Sequence, residues 1–167
     1  MSRDESIDPD SPFSPTDSPH ETIETYYETL RRGEPLTPFF SEDPQAVKLG
    51  IEETLVGYAD IADGLSSQTD RTSEWTVESN SLRVTERDAF AWFHDEVRLS
   101  WHDDPTGTDE SYDTRWTGTL EYREPVDRWQ FVSLHVSVPV DRGKPETERS
   151  DADVLFGSEG EHEHGGC

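Results

Sequence analysis

Lysine is nearly missing from this sequence: of 167 residues only Lys48 and Lys144 are lysines, and arginine supplies the other positive charges. Fourteen basic residues face 38 acidic ones, for a formal net charge of −24. Such a shortage of basic surface disfavours nucleic acid as a partner, because neutralising phosphates needs a basic patch. Cysteine occurs once, at Cys167, which excludes an internal disulfide. No apolar run approaches the ~20 residues of a membrane span, and no basic start leads into an apolar stretch. The expectation is a soluble, cytoplasmic protein. There is also no phosphate-cradling glycine loop, nucleophile elbow, HExxH pattern or internal repeat.

What is abundant is acid, and the chain ends do not account for it. Residues 1–18 carry a net −4 and residues 141–167 a net −5, which leaves −15 on the middle segment. Acidity of that density repels itself unless salt screens it. The sequence therefore reads as that of a halophilic protein from a high-salt cytoplasm; an acidic protein that binds a basic partner is the alternative.

Residues 1–17 are rich in Ser, Pro and Asp and are expected to form a disordered acidic tail. Order is expected from Ser18, where Ser18-Pro19-His20-Glu21 forms a capping box. Behind it Ile23, Tyr26, Tyr27 and Leu30 share one helical face, and Gly33 ends the helix. Thr37 to Phe40 suggests a short second helix, Ala46 to Gly50 a short strand, and Glu52 to Thr69 a third helix carrying Leu55, Tyr58 and Leu65. Glu74 to Thr85 and Ala89 to Trp101 read as strands. The dominant stretch is Asp113 to Pro139, two long strands around the turn Glu124-Pro125-Val126-Asp127. Strict alternation puts Val132, Leu134, Val136 and Val138 on one face of the last strand. Trp129, Phe131, Ser133, His135 and Ser137 fall on the other. Helices followed by antiparallel strands describe one α+β domain over residues 18–140. Residues 141–167 are expected to be a second disordered acidic tail; its His162, His164 and Cys167 lack the spacing of a closed metal site, so no metal is assigned to them.

Several motifs carry a resemblance. They are Tyr26 to Gly33, Phe39-Phe40-Ser41-Glu42-Asp43 leading to Val47, Ala91-Trp92-Phe93, Arg115 to Leu120, and above all Trp129 to Pro139. In order and spacing the chain resembles the SnoaL-like branch of the nuclear transport factor 2-like superfamily over residues 18–140. The resemblance implies a cone, with N-terminal helices packed on a curved, mainly antiparallel sheet. It also implies a pocket between helices and sheet and, often, a homodimer built on the sheet; no cofactor is expected.

Tyr26 precedes Gly33 by the spacing of the oxyanion-binding tyrosine of the steroid-isomerising relatives. Their general-base position aligns with apolar Leu49, beside Lys48, and their acidic partner with Thr117, Gly118 and Thr119. Without that base, worth typically ~10²–10⁴-fold, no catalytic residue is assigned. Candidate pocket residues are Tyr26, Tyr58, Trp92, His94, Arg115, Trp116 and His135. His94 shares a strand face with Glu96, away from Asp95, and could meet His135 across the sheet. Arg115 offers a guanidinium fork for a carboxylate, and the tryptophans suit a flat ligand. The expected function is binding of a small, partly apolar molecule. A lyase, isomerase or hydrolase using a rearranged Tyr26, His94, Arg115 and His135 set, and a protein-interaction module, are the alternatives.

The charge makes a direct prediction. Carboxylates repel over the ~10 Å screening length of 0.1 M salt but only ~3 Å at 1 M, and a domain retains only ~5–15 kcal/mol. Circular dichroism and tryptophan emission should report loss of structure at low salt and recovery at molar KCl. An unfolding midpoint independent of salt would contradict this and favour a basic partner.

Overall fold

A computed structural model describes residues 17–124 and 126–140. The chain folds as α1 (Pro19–Arg32), a single 3-10 turn (Thr37–Phe39), β1 (Val47–Gly50), β2 (Glu53–Val56) and α2 (Tyr58–Arg71), followed by five strands. These are β3 (Thr72–Ser79), β4 (Arg83–Arg87), β5 (Phe90–Asp103), β6 (Thr108–Arg123) and β7 (Arg128–Ser137). The expected tails, including His162, His164 and Cys167, lie outside the described residues. Among the described residues no helix is long and apolar enough to cross a membrane.

α1 starts where the capping box puts it. Glu21 N–H donates to Ser18 Oγ at 3.1 Å, and Ser18 N–H donates back to Glu21 Oε1 at 2.8 Å. Gly33 ends the helix in the left-handed conformation. The start of α2 corrects the sequence reading. Glu53–Val56 is a strand, so Leu55 is not on the helix, and Gly57 at φ 89° makes the turn into α2. Thr54 and Val56 are β-branched, and antiparallel pairing with β1 settles the segment as strand. The stretch from Glu74 likewise divides into β3 and β4, both paired to β5.

The sheet has the order β2-β1-β7-β6-β5-β3, with β4 also on β5, and every pairing is antiparallel except β1 with β7. This confirms an α+β fold with a mainly antiparallel sheet and corrects the expected cone. β2 and β3 are free edges at opposite ends, so the sheet stays open and does not curl round on itself. Short β1 and β2, of four residues each, cannot extend one edge far enough to close it.

One face of the sheet is covered by α1 and α2. Ala91, Phe93, Val97 and Leu99 of β5, Trp116 and Leu120 of β6, and Phe131, Leu134 and Val136 of β7 are buried there with Ile23, Tyr26, Tyr27 and Leu30 of α1. Each buried Val, Leu, Ile or Phe among them contributes about 1.5–3 kcal/mol by leaving water. Strict alternation fails in β7. Thr119 pairs with Ser133 but Leu120 with Phe131, so Val132 is an extra residue and the strand is bulged there. Trp129 and Phe131 before the bulge therefore face the core together with Leu134 and Val136 after it, and His135 points the opposite way.

Asp95 is a carboxylate buried on this face, 0% exposed. Its carboxylate accepts from Tyr27 Oη at 2.7 Å, Ser79 Oγ at 2.6 Å and Ser81 N–H at 3.0 Å. Burial, and then the bond to Asp95, push the Tyr27 phenol far above its usual range. Arg31 adds bonds from Nε and Nη2 to the Val77 carbonyl at 3.2 and 2.8 Å. These contacts dock α1 on β3 and β5. Tyr27→Phe should lose about 1.5–3 kcal/mol at neutral pH, the range for a bond to a charged group, measured by thermal unfolding in molar salt. A folded-state phenol held above its unfolded value near 10 contributes stability in full below about pH 10 and loses it as the pH rises further. Wild type should accordingly lose more stability than Tyr27→Phe between pH 9 and 11; equal losses would contradict the clamp.

Candidate functional site

Between the helices and the covered face of the sheet lies a cavity of about 570 Å³. Leu30 of α1, Leu99 of β5 and Leu134 and Val136 of β7 give it apolar walls, and Gly64, Ser67 and Gln68 bring α2 over it. Trp75, Trp101, Tyr112 and Trp116 add aromatic rings. Trp75 stacks on Trp101 with centroids 4.7 Å apart, and Tyr112 sits 5.6 Å from Trp101 on the other side. Trp75 reaches this position through a second bulge: pairing slips between Ser73 and Thr76, and Glu74 adopts φ 59°. A non-glycine residue in that region is held against its preference. Trp75 is fixed further by its indole N–H, which donates to Thr72 Oγ1 at 2.8 Å.

Polar groups line the cavity beside the walls, Tyr26, Lys48 and Glu53 among them. Tyr26 is 2% exposed, boxed edge-on by Phe39 at 5.3 Å, Phe131 at 5.2 Å and Trp116 at 6.0 Å. The residue lines the cavity, so its hydroxyl is open to that volume, and among the described residues no protein group bonds it. Burial, and then the charge of Glu53, hold that phenol far above its usual range, so it stays protonated and able to donate. Lys48 is 5% exposed and forms an ion pair with Glu53. Gly50 makes this possible, because it faces Glu53 across the β1–β2 hairpin and a Cβ there would come within 2.7 Å of Glu53 Oε2. The arrangement can donate hydrogen bonds from Tyr26 to a ligand oxygen while the rings hold a flat apolar body.

Of the expected pocket residues, Tyr26 and Trp116 line this cavity. Tyr58 opens α2 and packs half-buried against the core without lining it. Trp92, His94, Arg115 and His135 are all on the opposite, uncovered face of the sheet. Trp92 is 47% exposed, with the Arg87 guanidinium 5.5 Å from its ring centre. His94 and His135 do not meet. Both are in register with Thr117, one on each side of β6, so two strand spacings, about 9–10 Å, separate their backbones.

Sequence reasoning missed Lys48, Glu53, Trp75, Trp101 and Tyr112 as cavity residues. A signal existed for Lys48: on a strand, Leu49 and Lys48 point to opposite faces, and Lys48 is the buried one. Glu53 was hidden because its segment read as helix. Among the described residues no group of three or more His, Cys, Asp or Glu is placed to hold a metal ion.

Residues 20–141 match the family model of the SnoaL-like domain. No curated protein matches the chain. Among solved structures, a nuclear transport factor 2-like superfamily protein from Salmonella enterica superposes with a TM-score of 0.65 at 18% identity, covering 75% of this chain and 92% of its own. A nuclear transport factor 2-like protein of unknown function from Pseudomonas putida gives 0.63 at 18% identity, covering 78% and 89%. A ketosteroid isomerase-like protein from Erwinia carotovora gives 0.59 at 14% identity, covering 71% and 92%. At these identities the likeness is one of fold, and it agrees with the family match over the same part of the chain. The chain belongs to the SnoaL-like domain family, with the nuclear transport factor 2-like superfamily fold.

Proposed function

We propose that the protein binds a small, flat, partly apolar molecule in the cavity under α1 and α2. The observation that carries this reading is the Tyr26 hydroxyl. A phenol buried among four aromatic rings ordinarily finds a partner, as Tyr27 does one residue later on Asp95. Tyr26 has no protein partner among the described residues and borders the cavity, which supports a ligand oxygen as its acceptor. The enzyme alternative loses its residues, because His94, Arg115 and His135 stand on the other face of the sheet from Tyr26.

Tyr26→Phe tests the reading cleanly, since it removes no hydrogen bond within the described protein. Its unfolding midpoint should match wild type within about 0.5 kcal/mol. Its affinity for an oxygen-bearing aromatic, 2-naphthol or 1-indanone followed by tryptophan emission in molar KCl, should fall roughly tenfold, the effect of about 1.4 kcal/mol. Equal affinity, or no binding by wild type, would sink the proposal.

A second reading concerns the uncovered sheet face. Phe90 and Trp92 are 53% and 47% exposed there, beside His94, Arg115 and His135. Apolar bulk of this kind on an open sheet favours a partner, and we propose a second copy of the chain. Sedimentation in molar KCl should give a dimer that Trp92→Glu converts to monomer; a wild-type monomer at tens of micromolar, or capture of a different protein on that face, would contradict it.

A further inference from the structure

We infer that the mouth of the cavity is a cation subsite, which takes the ammonium group of an aromatic amine on the Trp75–Trp101–Tyr112 stack beside Asp103 and Glu110. The inference rests on the reading of this cavity as a ligand site and adds the ligand's charge to it.

The register builds the subsite. Trp101 and Asp103 are two residues apart on β5, and Glu110 and Tyr112 two apart on β6, so each pair shares a face. Trp101 is the direct cross-strand partner of Glu110, and all four line the cavity with Trp75. Two carboxylates and three rings thus meet at one end of the site. Local bonds orient the acids: Glu110 accepts from Tyr112 Oη at 3.0 Å and Thr108 Oγ1 at 3.1 Å, and Asp103 accepts from Thr106 N–H at 3.3 Å. Ring faces attract cations, and a flanking carboxylate strengthens the attraction.

The other charges agree. Glu52, Glu53, Asp103 and Glu110 line the cavity against Lys48 and Arg71. Glu53 neutralises Lys48, which leaves Arg71 facing three carboxylates. A ligand anion would have to sit among them. Acid is common throughout this chain, so the carboxylates alone would not mark a site. The second observation is Tyr26 on the same cavity, a residue 2% exposed whose hydroxyl is open to that volume and bonded by no protein group among the described residues. The complementary molecule carries an ammonium at one end and a hydrogen-bonding oxygen at the other, across an aromatic body.

Three probes of one shape test this on the full chain in 1 M KCl: 2-phenylethylamine, 2-phenylethanol and 3-phenylpropionate, titrated calorimetrically and by tryptophan emission. The amine should bind at least tenfold more tightly than the carboxylate and more tightly than the alcohol. Combining Asp103→Asn with Glu110→Gln should reduce the amine's advantage over the alcohol to within twofold, with the folded state checked by circular dichroism. If the alcohol binds and the amine binds no better, the cation subsite is wrong and the cavity reading survives. Binding by none of the three would overturn both. A double variant that keeps the amine preference would overturn the assignment to Asp103 and Glu110.

Discussion

The architecture depends on one buried contact, the Tyr27 hydroxyl on the Asp95 carboxylate. A carboxylate placed out of water is costly unless hydrogen bonds replace its hydration. Asp95 receives three: one from α1, one from the end of β3 and one from the β3–β4 connection. That single group fixes how α1 crosses the sheet. Successive helical residues project about 100° apart, so locking Tyr27 onto β5 turns Tyr26 toward β6 and β7. The clamp therefore both docks the helix and aims the neighbouring phenol into the cavity. Two adjacent tyrosines, equally buried, differ because among the described residues only Tyr27 meets a protein acceptor.

The rest of the site follows from departures from regular strand geometry. The bulge at Val132 keeps Phe131 and Leu134 on the covered face together, which closes the wall around the Tyr26 ring. The bulge at Glu74 lays Trp75 on Trp101. Gly50 leaves the space through which Glu53 reaches Lys48. Each irregularity places a side chain in the cavity that an ideal ladder would have directed elsewhere. Irregular strands concentrated around one internal volume are what a binding site built on a general-purpose fold requires.

Much of the fold was legible from the chain, and the reasons are local. The capping box at Ser18, the α1 face through Tyr26 and Leu30, and the alternation of β5 and β6 each specify their element in a few residues. Even the buried acid was readable, since Asp95 falls on the same parity as Ala91, Phe93, Val97 and Leu99. What could not be read was anything depending on a register slip. One inserted residue reverses every later side chain, and this moved His135 away from Trp129 and Phe131. The family resemblance carried the fold but also an expected cone, whereas the short β1–β2 edge leaves the sheet open. Polar residues with chemical appeal, His94, Arg115 and His135, drew attention to the uncovered face. The cavity-lining Lys48 and Glu53 looked like ordinary charges until pairing brought them together.

If the Tyr26 hydroxyl bonds a ligand in the cavity, as proposed, the tyrosines lining that cavity must sense it. The most direct measurement is nuclear magnetic resonance of protein labelled with carbon-13 at the tyrosine Cζ, titrated with an oxygen-bearing aromatic in molar KCl. Tyr26 and Tyr112 line the cavity, and Tyr122 lies away from it, edge-on to Trp129. Saturable shifts of Tyr26 and Tyr112, with Tyr122 unmoved, are expected. A Tyr26 signal that stays fixed while others move, or that is unaffected by any such ligand, would contradict the proposal.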